Sequence, residues 1–408
     1  MARSQLSQSN RRTMRVCLDG RPVQSGFKRH KNRGIGRYAE NLLSLLPKLA
    51  PHIQFSIIFE KSKPIDERFR GQNVDYLIHS VPGLLSLNHP IIDTFAYLPL
   101  TLQKSHADVT HFFSHLDAPW LGMHNKPVVV TVHDTIPRVF PELYHTDSNV
   151  LRRGYHRALK SIVVGAGAVI VDSECSKRDA VTYLSAHEER VRVIYLGVDP
   201  IFERVTDPEK LAAVRQKHHL VHPFIFYLGG IDPRKNVRRL LAAYARLIRT
   251  STFPHDLVIA GDIQHEPEFP ELEREIQAEG IRDRIKLVGF VATEECPALY
   301  SAADCFVFPS LYEGFGLPLL EAMACGTAVI SSDRSCLPEI VGDTGLIVNC
   351  EDVDAIAGAM ATVLSTESLR GELGARGMKR ARLFSWDKTA AQTLAVYEEV
   401  VRKRRESV

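Results

Sequence analysis

No run of this sequence is both long enough and apolar enough to cross a bilayer. The nearest candidate, residues 81–102 (VPGLLSLNHPIIDTFAYLPLTL), is interrupted by Asn88, His89, Pro90 and Asp93, so any membrane contact would be peripheral. Excess charge is scarce as well: 51 basic against 48 acidic residues leave a net charge of +3, too little for a nucleic-acid binder. The seven cysteines are odd in number and form no CxxC pair. That speaks against a disulfide framework or a zinc site and for reduced thiols in the cytoplasm. The opening MARSQLSQSNRRT lacks an apolar core, so residues 1–13 are expected to be a disordered lead-in rather than a secretory signal. No GxGxxG follows the first apolar run, MRVCLDG (14–20), which leaves a dinucleotide-dependent dehydrogenase without support.

What the chain does have is alternation. Apolar, β-branched runs recur at 14–20, 53–59, 107–113, 126–134, 168–173 and 190–197, and again at 224–230, 255–261, 284–290, 304–310, 327–332 and 345–349. Helical patterns such as IGRYAENLLSLLPKL (35–49) and VRRLLAAYARLIR (237–249) separate many of them. Strands that are apolar on both faces and alternate with helices predict parallel, doubly wound sheets. At 408 residues, two such domains are expected. The turn-rich GVDPIFERVTDPEK (197–210) serves as linker, giving domains at 14–200 and 201–385 and a C-terminal helix, 386–408, that would pack back toward the first. The fold class is α/β, with two Rossmann-like domains facing a central cleft. Ligands of such sheets bind beyond the carboxyl ends of the strands.

Motifs can be tested against that rule. In SLYEGFGLPLLEAMACGTAVI (310–330), Glu313 follows a predicted strand, and Glu321 stands eight residues further on. Gly314 and Gly316 allow close approach to the backbone, and Pro318 suits the first helical position. Glu321 would then fall on the first helical turn. Amides near Phe315, Gly316 and Leu317, at a helix N-terminus, would receive anionic or strongly polar oxygens. In GGIDPRKNV (229–237) Arg234 and Lys235 follow another strand, as His133 does in VVVTVHDTIP. Asp134 is expected to cap or brace its turn. GFKRHKNRGIGRY (26–38) places Gly34 and Gly36 at the start of a helix, with Arg29, Lys31, Arg33 and Arg37 adding positive charge. Ser173 and Ser176 look like N-terminal caps. The DVD at 352–354 reads as a helix cap and not a metal-binding pair, so no metal ligands are assigned.

Glu313 and Glu321, set in EGFGLPLLEAMACGTAVI, resemble the signature of retaining family-4 glycosyltransferases of the GT-B fold. The similarity runs from GIGRYAENLL (34–43) through FSWDKTAAQTLAVYEEVV (384–401). The resemblance implies that Glu321 binds the nucleotide ribose and that Glu313 contacts the donor sugar near the reacting centre. Lys235 would serve the diphosphate, and the amides of the Gly314–Leu317 loop the sugar hydroxyls. His133 would contact a sugar hydroxyl or the reacting centre, and the Gly34–Gly36 loop would lie near the diphosphate and the acceptor. Ser173 to Lys177 matches the family's S-x-x-S-K pattern. Many relatives carry an arginine where this chain has Gly230, and Arg234 is the candidate substitute.

No cofactor or metal is implied. The partners implied are a nucleotide-sugar donor, with GDP-mannose ahead of a UDP-hexose, and a glycan or lipid-linked glycan acceptor of lipopolysaccharide O-antigen or exopolysaccharide assembly. Cytoplasmic residence is expected, with peripheral contact to an anionic membrane through 81–102 and 28–37. A noncatalytic nucleotide-sugar-binding subunit is the reading from another class, and Gly230 is the feature in its favour.

Overall fold

The apolar runs assemble into two sheets, each parallel throughout. The structure, a computed structural model, describes residues 13–28, 34–80, 97–119, 126–144 and 150–407. The expectations for Arg29, Lys31, Arg33, residues 81–96 and most of the lead-in lie outside the described residues.

The first sheet contains β1 (Arg15–Asp19), β2 (Gln54–Glu60), β3 (Val74–His79), β4 (Val109–Phe112), β5 (Val128–Val132), β6 (Ala168–Val171) and β7 (Val191–Val193). Its order is β3-β2-β1-β4-β5-β6-β7. Chain order reverses between β1 and β4, so the loops leaving those strands diverge and open a crevice. Every residue of β4, β5 and β6 is buried, as expected for a sheet covered on both faces. The sequence reading missed β3. VDYLIH lies at the sheet edge and is only partly buried, with Ile78 43% exposed, so it carries no continuous apolar run.

The second sheet contains β8 (Phe224–Leu228), β9 (Asp256–Ala260), β10 (Ile285–Gly289), β11 (Cys305–Phe308), β12 (Val329–Ser332) and β13 (Leu346–Val348). Its order is β10-β9-β8-β11-β12-β13, which puts its switch point between β8 and β11.

The chain divides into two compact units, one of residues 1–195 with 386–408 and one of 196–385. The first division thus falls ahead of the expected boundary at 200. The C-terminal helix, Trp386–Glu406, packs on the helix Gly34–Leu49 of the first unit. It buries Trp386, Tyr397, Val400 and Val401. Its polar ties are specific: the Tyr397 hydroxyl and His111 Nδ1 are 2.6 Å apart, and Thr389 Oγ1 donates to the Tyr195 carbonyl at 2.7 Å. Among the described residues no helix is long and apolar enough to cross a membrane.

Candidate active site

In the second unit, the loops leaving β8 and β11 meet at the switch point. Leu311 N donates to the Arg234 carbonyl at 2.7 Å, which joins the two loops through their backbones. Asn236 holds them as well: its Nδ2 donates to the carbonyls of Pro309 and Cys350 at 3.0 and 2.7 Å. The residue is buried and left-handed, with φ +59°.

This frame brings Lys235, Arg234 and Glu313 together, with Asp232 as a fourth charge whose Oδ1 lies 3.0 Å from Arg234 Nε. Lys235 Nζ donates to Glu313 Oε1 at 2.7 Å, and Arg234 Nη1 donates to Oε2 at 3.1 Å. The side chains of Lys235, Arg234 and Glu313 are only 11–16% exposed, so water screens the group weakly. Burial alone would raise the Glu313 pKa. The charges of Lys235 and then Arg234 outweigh it and hold the carboxyl below its ordinary range. Two cations therefore face two carboxylates, Glu313 and Asp232, at the point where an anionic ligand of the sheet would bind.

Beyond Glu313 the chain turns at Gly316, whose φ of +99° caps the helix Leu317–Ala324. A Cβ there would lie 2.8 Å from Leu337 Cδ2, so glycine is required both by φ and by space. The Phe315 ring is buried against Phe384, with ring centroids 6.0 Å apart. Any donor contact from Phe315 must therefore come from its backbone. Helix geometry leaves the first-turn amides without intrahelical partners. Two expectations shift by one step: Leu317 opens the helix with Pro318 second, and Glu321 lies beyond the first turn. Glu321 is buried and accepts from the Tyr300 hydroxyl at 3.1 Å.

In the first unit, His133 stands just past the carboxyl end of β5. Its Nδ1 is 2.7 Å from Asp172 Oδ2, and its Nε2 is 2.8 Å from the Phe113 carbonyl. Each ring nitrogen thus has an oxygen partner from a neighbouring strand. Burial alone would lower the His133 pKa, and the Asp172 carboxylate more than reverses this and holds it above the ordinary value. Nearby His111 is pushed down to about 3 by burial and by repulsion from His133. The expected position is thus observed with different bonding, because both ring nitrogens already have protein partners. The sequence reading did not single out Asp172, which ends the neighbouring strand.

Other expectations resolve locally. Asp134 accepts from Ile136 N at 3.0 Å, and Ser173 caps the helix Glu174–Leu184 by accepting from Ser176 N at 3.0 Å. Asp352 caps the helix Val353–Ser365. Gly34 opens the helix Gly34–Leu49, and Gly36 is buried in it. Among the described residues no group of three His, Cys, Asp or Glu side chains is arranged to hold a metal.

Comparison with known proteins adds the decisive observation. Residues 32–202 match the family model Glycosyltransferase Family 4, and residues 213–380 match Glycosyl transferases group 1. The O-antigen chain mannosyltransferase B of Escherichia coli is 31% identical over 374 residues, covering 90% of this chain and 96% of that one. This chain belongs to the family-4 glycosyltransferases. Two solved structures share the GT-B fold. Sucrose-phosphate synthase of Thermosynechococcus elongatus matches with a TM-score of 0.72, 23% identity and coverage of 96% and 100% of the two chains. The Anabaena protein HepE, in complex with UDP and glucose, matches with a TM-score of 0.70, 19% identity and coverage of 94% and 99%.

The glycosyltransferase is a retaining, metal-independent enzyme, and Gly230 lies against the Glu266 side chain. A Cβ at Gly230 would lie 2.6 Å from Glu266 Oε1, and Glu266 Oε2 accepts from Ile231 N at 2.7 Å. The Glu266 carboxylate thus fills the space a side chain at 230 would enter. Arg234 instead reaches Glu313 from four residues later. Neither Glu266 nor Asn236 was found from sequence, because their contacts span 35 and 114 positions and follow no local period.

Proposed function

We propose that this glycosyltransferase moves mannose from GDP-mannose to a glycan acceptor in bacterial surface-polysaccharide assembly, at the cytoplasmic face of the membrane. The likeness to O-antigen chain mannosyltransferase B over 90% of the chain carries this reading. The Lys235–Arg234–Glu313 group supplies its chemistry. Lys235 and Arg234 receive the diphosphate and steady the charge that builds on it as the glycosidic bond breaks, which is the electrostatic help that dominates such steps. Arg234 takes over the duty of the arginine absent at Gly230. Glu313 faces the sugar as it becomes oxocarbenium-like, and Glu321 holds the ribose. The acceptor hydroxyl attacks on the face the diphosphate leaves, giving up its proton to a departing phosphate oxygen, so configuration is retained. The acceptor is a growing glycan on a lipid carrier, with the membrane contacted peripherally. His133 contributes as a braced strand end, held by Asp172 and the Phe113 carbonyl.

Thermal unfolding tests the donor. A ligand that binds only the folded state at 100 times its Kd stabilises by about 2.7 kcal/mol. GDP and GDP-mannose should raise the melting temperature more than UDP and UDP-glucose at equal concentration. A larger rise with the uridine compounds would replace GDP-mannose with a UDP-hexose as donor.

A further inference from the structure

Glu313 and its loop are held by two side chains that arrive from a third strand. After β12 the chain runs through Ser335 and Cys336 into the short helix Leu337–Val341. Ser335 Oγ donates to the Glu313 carbonyl at 2.6 Å and accepts from Glu313 N at 3.3 Å. Cys336 Sγ lies 3.2 Å from the same carbonyl and 3.1 Å from the Phe315 carbonyl. The thiol is fully buried, so it acts as a weak donor from within the protein.

The peptide bond gives this arrangement its consequence. In a planar trans peptide the N–H points opposite to the C=O. With the carbonyls of Glu313 and Phe315 turned toward Ser335 and Cys336, the amides of Gly314 and Gly316 are aimed away from them. The clamp therefore sets the direction of two donors in the loop, as well as the backbone from which the Glu313 carboxylate projects. Ser335 holds this position in the left-handed region, at φ +57°, where an L-residue is strained and a glycine is not. Strain of this kind persists where surrounding structure enforces it and is concentrated at functional sites. Asn236, at φ +59°, braces the same loop from the other side.

We infer that Ser335 and Cys336 are positioning residues that aim the Gly316 amide and the Glu313 carboxylate at the transferring sugar. They touch no substrate themselves. This inference rests on reading the Glu313 loop as the donor site, and its test keeps the two separable.

Ser335→Gly is the decisive variant, because glycine removes the hydroxyl while suiting the dihedral. Its melting temperature should equal or exceed that of the unmodified enzyme. Its kcat with GDP-mannose should fall about 10- to 100-fold, the scale of a small misplacement at a reacting centre, with the donor KM changed far less. Cys336→Ala should lose kcat in the same way, and Cys336→Ser should restore most of it. Amide hydrogen exchange across 311–317 should quicken in Ser335→Gly and Cys336→Ala. Unchanged kcat and exchange in Ser335→Gly would overturn the inference, as would a loss of kcat explained wholly by a lower melting temperature. If the unmodified enzyme transfers no sugar from GDP-mannose, the donor reading fails. Hydrogen exchange then still decides the clamp: quickened exchange supports it, and unchanged exchange overturns it.

Discussion

Glu313→Gln should lower turnover by about 100-fold or more, the scale of one lost electrostatic contact in a transition state, without weakening free nucleotide binding. The substitution keeps size and deletes the charge, and it leaves one acceptor oxygen where the structure shows two, for Lys235 and Arg234. In the structure Glu313 pairs with Lys235 and Arg234 at 2.7 and 3.1 Å, so an arriving diphosphate must compete with it for those cations. Removing the carboxylate charge releases Lys235, while Arg234 keeps its pair with Asp232, and GDP affinity should stay level or rise. Steady-state kinetics with nucleotide titration by calorimetry separates the two effects. Normal turnover in the variant would reduce Glu313 to a loop brace. The lowered pKa of this carboxyl also fixes its acid behaviour. Its contribution to stability is complete above the ordinary glutamate range and fades as pH falls through its depressed folded value.

Lys235→Met should have the second large effect, and on two properties at once. Removing one partner of a buried ion pair costs about 3–5 kcal/mol when the remaining charge is left uncompensated. Arg234 still faces Glu313 Oε2, which places the expected loss toward the lower end. Turnover should fall roughly 100- to 1,000-fold as the diphosphate loses a cation. Pairing Lys235→Met with Glu313→Gln distinguishes the causes. The double variant should recover the melting temperature and not the turnover, because the stranded charge is gone but the diphosphate still lacks its lysine. Recovery of both would show that Lys235 matters only as a counter-ion.

What could be read from sequence followed from the physics of each feature. Strands buried on both faces announce themselves as apolar runs, so β5 (VVVTV) and β8 (FIFYL) were evident, and the half-exposed edge strand VDYLIH was not. Glu313 and Lys235 were legible because each follows such a run and the switch point brings the loops together. The position of His133 was equally plain. Its bonding was not, since Asp172 and the Phe113 carbonyl come from neighbouring strands. The burial of Glu321 against the Tyr300 hydroxyl was not legible, since that partner lies 21 positions away. Asn236, Glu266, Ser335 and Cys336 carry no periodic signal, and their roles arise from tertiary contacts between loops.

The central claim is hexosyl transfer with retention, and one measurement addresses it most directly. GDP-α-mannose is incubated with the enzyme and a mannose-terminated oligosaccharide in the presence of EDTA, and the new linkage is read by NMR at its anomeric centre. An α-mannosidic product formed at the same rate as without chelator is the predicted result. A β-linked product, a rate restored only by added Mg²⁺ or Mn²⁺, or no transfer from any GDP- or UDP-hexose would contradict the account.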